Sequence, residues 1–218
     1  MAGALDMERP TLYVEGEDDR HAIIHLLAAH GVELDITDGP VYVQATGSDS
    51  QLMKAIGIVA KAASTTMGFA VDIDTTAGRR WDAVCGKLKP RKLGLEAMPP
   101  AEGLIAGELG GQRIGVWLLP DNATDASALE DLLLNMVPPG DPILPYAAEA
   151  TDHAGGLGAP FQPKYRRKAV MRTWLAWQAE PGIAYGLAIK AGWLQTDHEN
   201  AIRFVTWFKT LFASHLVA

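Results

Sequence analysis

Thr11-Leu12-Tyr13-Val14-Glu15-Gly16-Glu17-Asp18-Asp19-Arg20 is a short apolar run that stops abruptly at a glycine flanked by carboxylates. Leu12, Tyr13 and Val14 read as a buried strand, Gly16 suits the sharp turn that leaves it, and Asp18 is placed to cap the helix that follows. Glu15 then stands at the carboxyl end of a strand. In open α/β sheets that edge is where ligands bind, so an acid there is a candidate for chemistry first and a surface charge second. Gly68-Phe69-Ala70-Val71-Asp72-Ile73-Asp74 repeats the pattern. Asp72 and Asp74 are two apart, so they project from the same side of the strand end. Three carboxylates at two strand ends can hold magnesium.

Working outward, Asp18 to His30 carries Ile23, Ile24, Leu26 and Leu27 at helical spacing, and Gly31 closes it as a glycine C-cap does. Val41 to Ala45 is a second β-rich run. Thr46-Gly47-Ser48-Asp49 is a turn and helix start, and Leu52, Ile56, Val59 and Ala63 share one helical side. Phe69 to Ile73 is the third strand, followed by a polar loop and a short helix from Arg80 to Leu88 that Pro90 stops. Residues 93–112 are rich in Gly and Pro and predict a β-hairpin or lid inserted before the fourth strand, Arg113 to Leu119. That strand ends at Pro120-Asp121-Asn122, and Ser127 to Val137 is the fourth helix. Strands alternating with helices predict right-handed crossovers, hence an α/β fold with a mainly parallel, four-stranded central sheet.

The break at Pro138-Pro139-Gly140-Asp141-Pro142 divides this α/β core (residues 1–140) from a C-terminal helical extension (141–218) that packs on it as part of one unit. Helices are predicted over Lys168 to Gln178, Gly182 to Ala191 and Glu199 to Phe212. Their Trp174, Trp177, Trp193, Phe204, Trp207, Phe208 and Phe212 recur at spacings that suit faces turned back on the sheet.

The composition, 48% apolar and 21% charged over 218 residues, is that of an ordinary globular protein with room for a sizeable core. No apolar run approaches the ~20 residues needed to cross a bilayer. The N-terminus carries Asp6, Glu8 and Arg9 in place of a basic flank and apolar block, which predicts a cytoplasmic protein with no membrane partner. The single Cys85 fits a reducing compartment and excludes a thiolate zinc site, so a metal would be held by oxygen or imidazole. A net charge of −7 argues against broad nucleic-acid coating but leaves room for a local basic groove.

A strand ending in Glu-Gly and a later strand ending in Asp-x-Asp resemble the TOPRIM domain of topoisomerases, bacterial primases and overcoming-lysogenization-defect (OLD) nucleases. Val14-Glu15-Gly16-Glu17-Asp18-Asp19, Val71-Asp72-Ile73-Asp74, Val116 through Asn122, Leu129-Glu130-Asp131, and Lys168-Ala169 through Gln178 with Pro181-Gly182 are together similar to the TOPRIM-like family DUF3226 over nearly the whole chain. The resemblance implies a compact parallel-sheet domain with a magnesium site, without a settled activity to import. By position it implies Glu15 as general acid/base and metal ligand, Asp72 and Asp74 as the metal-binding pair, and Asp19 as a further ligand. Asp121, at the end of its own strand, is an auxiliary ligand or only a turn former. Glu130 is a weaker candidate, since it and Asp131 sit early in a helix whose dipole favours acids anyway. Hard oxygen donors suit Mg²⁺ or Mn²⁺. No tyrosine nucleophile on a separate domain supports a topoisomerase, and no Gly-x-Ser-x-Gly elbow supports a hydrolase.

His21 and His25 share a helical face at a zinc-compatible spacing, but the protease glutamate is missing, so surface or half-buried histidines are the reading. Gly107 to Gly111 precedes a strand, which is the wrong order for a dinucleotide loop and reads as a hairpin. Two basic clusters are candidates for phosphate. Arg79, Arg80, Lys87, Lys89, Arg91 and Lys92 follow the Asp-x-Asp motif, and Lys164, Arg166, Arg167, Lys168 and Arg172 begin the extension. If both flank the acidic mouth they form a rim for nucleic acid, with Lys168 stabilising charge on a scissile phosphate. The expectation is a magnesium-dependent phosphoryl-transfer protein, a nuclease on DNA or RNA. The alternative is a catalytically silent module that binds metal, nucleotide, nucleic acid or a protein partner.

Overall fold

The structure, a computed structural model, describes residues 5–34, 39–107 and 111–216. The elements are β1 (Thr11–Val14), α1 (Glu17–Ala29), β2 (Tyr42–Ala45), α2 (Asp49–Ala62), β3 (Met67–Asp72), α3 (Ala77–Leu88), β4 (Leu104–Ala106) and β5 (Ile114–Leu119). They are followed by α4 (Leu129–Asn135), α5 (Ile143–Gly156), α6 (Arg166–Ala176), α7 (Tyr185–Lys190), α8 (Glu199–Leu211) and α9 (Ala213–Leu216). Among the described residues the strands form one sheet in the order β2-β1-β3-β5-β4. The first four are parallel, and β4 runs antiparallel to β5.

The expectation of four strands is therefore corrected to five. β4 comes from the segment expected to be an insert, pairing Leu104 with Val116, Ile105 with Gly115 and Ala106 with Ile114. Three residues between Gly103 and Gly107 are too few for an alternating pattern to show. The hairpin expected at Gly107 to Gly111 falls largely on residues 108–110, outside the described residues, as do residues 1–4 of the N-terminus.

Strand alternation splits the core in two. Leu12, Val14, Ala70, Trp117 and Leu119 face one layer, where α1, α4, α6, α7 and α8 pack. Tyr13, Phe69, Val71, Val116 and Leu118 face the other, covered by α2 and α3. Each large apolar side chain buried whole contributes about 1.5–3 kcal/mol. The C-terminal helices supply much of the first layer: Trp174, Phe204, Trp207, Phe208 and Phe212 are all buried against it. Gly115 of β5 lets α8 lie close, since a Cβ there would sit 2.5 Å from Leu211 Cδ2 and 2.9 Å from Trp207. Trp177 departs from the expected burial; it is 45% exposed and stacks on Tyr146 at 5.3 Å.

Helix α5 lies directly after the proline break, where the sequence pattern predicts none. Its buried residues are only Ala147 and Thr151, so it has no apolar stripe for periodicity to detect. The other helix bounds shift by a few residues: α4 starts at Leu129, α6 at Arg166 and α7 at Tyr185.

The topology fixes where a ligand would enter. β1 connects to β2 on one side, and the chain then crosses over to β3 on the other, so the strand order reverses between β1 and β3. The crevice outside the carboxyl ends at such a reversal is the ligand position of open α/β sheets. Glu15 follows β1 and Asp72 ends β3.

Candidate functional site

At the end of β1 the chain enters α1 with Gly16, whose N–H donates to Asp19 Oδ2 at 3.1 Å. Gly16 is in extended conformation, so its role is space. A Cβ there would lie 3.3 Å from Asp19 Oδ2. The expected cap, Asp18, instead faces α6, where Arg172 Nη2 reaches its Oδ2 at 2.6 Å and Lys168 Nζ approaches at 4.0 Å. Asp19 is carried inward, 9% exposed.

At the end of β3, Asp72 Oδ1 accepts the Leu129 N–H at 3.0 Å, at the first residue of α4. The next residues are tied to the loop before α4, with the N–H groups of Ile73 and Asp74 both donating to the Ser127 carbonyl at 2.9 and 3.1 Å. Asp74 takes a left-handed conformation (φ 53), which aspartate tolerates better than most residues. This stitching brings Glu130 of α4 to the same mouth.

Two overlapping groups of acids result. One carboxylate oxygen from each of Glu15, Asp49 and Asp74 lies within 4.8 Å of the other two. Deeper in, Glu15, Asp19, Asp72 and Glu130 line a pocket of about 360 Å³ with Lys168 at its edge. Lys168 Nζ lies 3.3 Å from Glu130 Oε1, and the Tyr185 hydroxyl donates to the same oxygen at 3.3 Å. The structure thus draws together the predicted Glu15, Asp19, Asp72, Asp74 and Lys168.

The electrostatics separate these acids from ordinary surface carboxylates. Burial first, then Asp19, Glu15, Glu130 and Asp74, drive the Asp72 carboxyl well above its usual range. Burial and the neighbouring Glu15 push Asp19 up to about 7. Glu15 is raised by burial and by Asp49 and Asp74, and Asp74 by burial in spite of Arg80. Against its own partial burial, Glu130 and Asp18 hold the Lys168 ammonium above the ordinary lysine range. A guanidinium, that of Arg80, also reaches the outer acid group; it is 9% exposed and ion-paired with Asp49.

Other predicted residues lie elsewhere. Asp121 is part of the turn after β5, where its carboxylate accepts the N–H groups of Ala123 (2.9 Å) and Thr124 (2.8 Å) and the Thr124 hydroxyl (2.8 Å). Those bonds hold it below the usual range despite partial burial, and it does not line the acidic pocket. Arg166 makes a two-bond contact to Asp152 of α5 at 2.6 and 2.7 Å. Arg167 pairs with Asp131 and donates to the Ala126 carbonyl at 2.8 Å. Both are engaged as cross-braces between segments. Arg79 is exposed at the start of α3, its backbone N–H on Thr76 Oγ1. Lys89 stands past the far end of α3, in a groove shared with α2. His21 is beside Glu17 at 3.7 Å. His25 packs on Gly186 of α7, and burial together with Lys190 and His21 keeps its imidazole below the usual range.

Sequence reasoning missed Asp49. It follows β2 as Asp19 follows β1, in a Thr-Gly-Ser-Asp turn that reads only as a helix start, and its position beside a strand end was the available signal.

The DUF3226 family, described as a protein of unknown function, matches residues 9–213. The chain belongs to the DUF3226 family. That match spans β1 through the first residue of α9, so the acidic mouth and the helices that close it are all within the DUF3226 region. No curated protein and no solved structure matches the chain.

Proposed function

We propose that this chain is a TOPRIM-like, magnesium- or manganese-dependent phosphoryl-transfer protein, a nuclease acting on DNA or RNA. The observation that carries the reading is the crowding of Glu15, Asp19, Asp72 and Asp74 at the strand-order reversal, each with its pKa raised first by burial and then by acidic neighbours. Such a concentration of like charge is unfavourable in itself, and carboxylates perturbed by burial together with charged neighbours cluster at functional sites. The Glu-Gly turn and the Asp-x-Asp strand end, adjacent in the sheet, support the TOPRIM resemblance.

The donor set fits a hard divalent cation: it is carboxylate oxygen throughout, with no thiolate or imidazole among the groups. Glu15, Asp49 and Asp74 would hold one ion, and Asp19, Asp72 and Glu130 line the place for a second. When bound, magnesium supplies neutralisation of charge on the phosphoryl oxygens. Glu15 belongs to both groups, and its raised pKa suits it to hold and release a proton at the reacting oxygen. Lys168, anchored at 3.3 Å on Glu130, presents its ammonium to a phosphate entering the pocket. Asp18 and Arg172 fix α6, and with it Lys168, against α1.

The test is calorimetric titration of wild type and Asp72→Asn with Mg²⁺ and Mn²⁺, with cleavage assays on single- and double-stranded DNA and RNA in parallel. The expected result is metal binding lost in the variant and cleavage reduced on the order of 10²-fold or more. Binding without cleavage points to the silent module. Cleavage that persists in a purified Asp72→Asn, Asp74→Asn double variant would place the chemistry elsewhere.

A further inference from the structure

The face of α2 and α3 away from the sheet holds a second feature. Lys54 and Lys61 of α2 stand seven residues apart, about 10.5 Å along one side of the helix. Lys87 of α3 and Lys89 just beyond it face them across a groove of about 640 Å³. All four are exposed, and among the described residues none makes an ion pair. The sequence has no acid between Asp49 and Asp72 and only Asp82 between Asp74 and Glu96. On a chain of net charge −7, four of its nine lysines therefore converge where the acids are absent. The rest of the lining is apolar or glycine, with Ile58 48% exposed beside Gly57, Ala62, Gly86 and Pro90.

We infer that this groove binds a single strand of nucleic acid, with phosphates on the four ammonium groups and sugar and base faces over Ile58 and Pro90. The choice of a polynucleotide over other polyanions rests on the phosphoryl-transfer reading, because α2 connects the two places. Its first residue, Asp49, belongs to the acidic mouth, and Lys54 follows about 7.5 Å further along the helix. A strand lying in the groove would continue toward the mouth. A duplex presents phosphates but hides its bases, and it would leave the apolar lining unused. The lining has no aromatic ring on which a base could stack and no arginine fork, so the strand is held through charge and with weak sequence preference. Lysine heads on flexible stems suit that task, with the stems extending the apolar lining.

The experiment is fluorescence anisotropy of labelled oligo-dT and of a matched duplex, without metal, across a salt series. Wild type should bind oligo-dT more tightly than the duplex. The Lys54→Gln, Lys61→Gln, Lys87→Gln, Lys89→Gln variant should lose roughly tenfold or more in affinity, and its log–log salt slope should fall by about 3, at about 0.7 per phosphate contact. Replacing the same four by arginine should retain binding. Because all four side chains are exposed, the variant is expected to fold, and its circular dichroism and Tm check that. Binding unchanged in the glutamine variant, or no binding by wild type, overturns the inference. So does poly-L-glutamate binding as tightly as oligo-dT and through the same lysines, which would assign the groove to an acidic protein segment. The Asp72→Asn, Asp74→Asn variant keeps the two ideas separable. Lysine-dependent strand binding with no cleavage in wild type leaves the groove standing and removes the nuclease; cleavage with lysine-independent binding does the reverse.

Discussion

The ends of β3 and β5 lie side by side, with Asp72 in register with Leu119, and β3 ends in an aspartate where β5 meets one two residues on. Their fates are opposite. After β5, the turn bends back and gives Asp121 three donors of its own, two backbone N–H groups and a hydroxyl, so its charge is satisfied and its pKa falls. After β3, Asp72 receives one N–H while burial and four other carboxylates press on it, and its pKa rises. A carboxylate at a strand end is thus not a site by position. It becomes a candidate when the fold withholds local donors and adds like charge.

The largest test of this contrast is the dependence of metal-free stability on pH. A carboxyl whose folded pKa is raised, such as Asp19 at about 7, keeps its proton in the folded state at pH values where the unfolded chain has released it. Its contribution is full below the unfolded value of about 4 and is lost as pH rises through about 7. The sign is opposite for Asp121, whose lowered pKa adds stability above the unfolded value that disappears only in acid. Melting in EDTA should therefore show Tm falling between about pH 4 and pH 7 and levelling off above, a loss of a few kcal/mol at most. Asp19→Asn should flatten the fall, and saturating Mg²⁺ should remove it, adding about 2.7 kcal/mol at a hundred times Kd. A metal-free Tm that rises over the same range would show that the mouth is internally compensated.

A smaller effect is expected at Arg80, the guanidinium that the fold places among the outer acids. It pairs with Asp49 and lowers the pKa of both Glu15 and Asp74. Arg80→Met should destabilise the metal-free protein by roughly 2 kcal/mol, because a half-buried pair loses one partner and leaves Asp49 beside two other acids. Added magnesium should recover more stability in the variant than in wild type. Equal recovery would mean that Arg80 only holds α3 against α2.

Much of this was legible in residues 11–20 and 68–74, because a strand and its terminal acid are adjacent in sequence and a short apolar run bounded by a glycine or acids marks a buried strand. The buried aromatics of α6 and α8 were legible too, through their helical spacing. What escaped depends on packing between distant segments. Asp49 joins Glu15 only because β2 lies beside β1, and Lys87 and Lys89 leave the mouth for Lys54 and Lys61 only because α2 and α3 run side by side. Arg166 and Arg167 read as free charge until α5 and α4 supply Asp152 and Asp131. β4 was hidden by its length, and α5 by its lack of a buried stripe.

The smallest predicted effect sharpens the comparison most. Asp121→Ala removes three hydrogen bonds from an exposed turn, where such bonds contribute about 1 kcal/mol in net terms. Thr124 and Ala123 can turn to water, so the loss in stability should stay near that value. Metal affinity should not change, since Asp121 lines neither acid group. Asp74→Ala, one strand over, should do the reverse: relief of repulsion offsets the cost, about 1–2 kcal/mol, of an alanine in the left-handed conformation, so metal-free stability changes little, while metal affinity is clearly lost. Measuring both variants by denaturant unfolding and by Mn²⁺ titration sets the two strand ends against each other. If Asp121→Ala weakens metal binding as much as Asp74→Ala does, the turn bonds are broken in the loaded protein, and Asp121 belongs to the site after all.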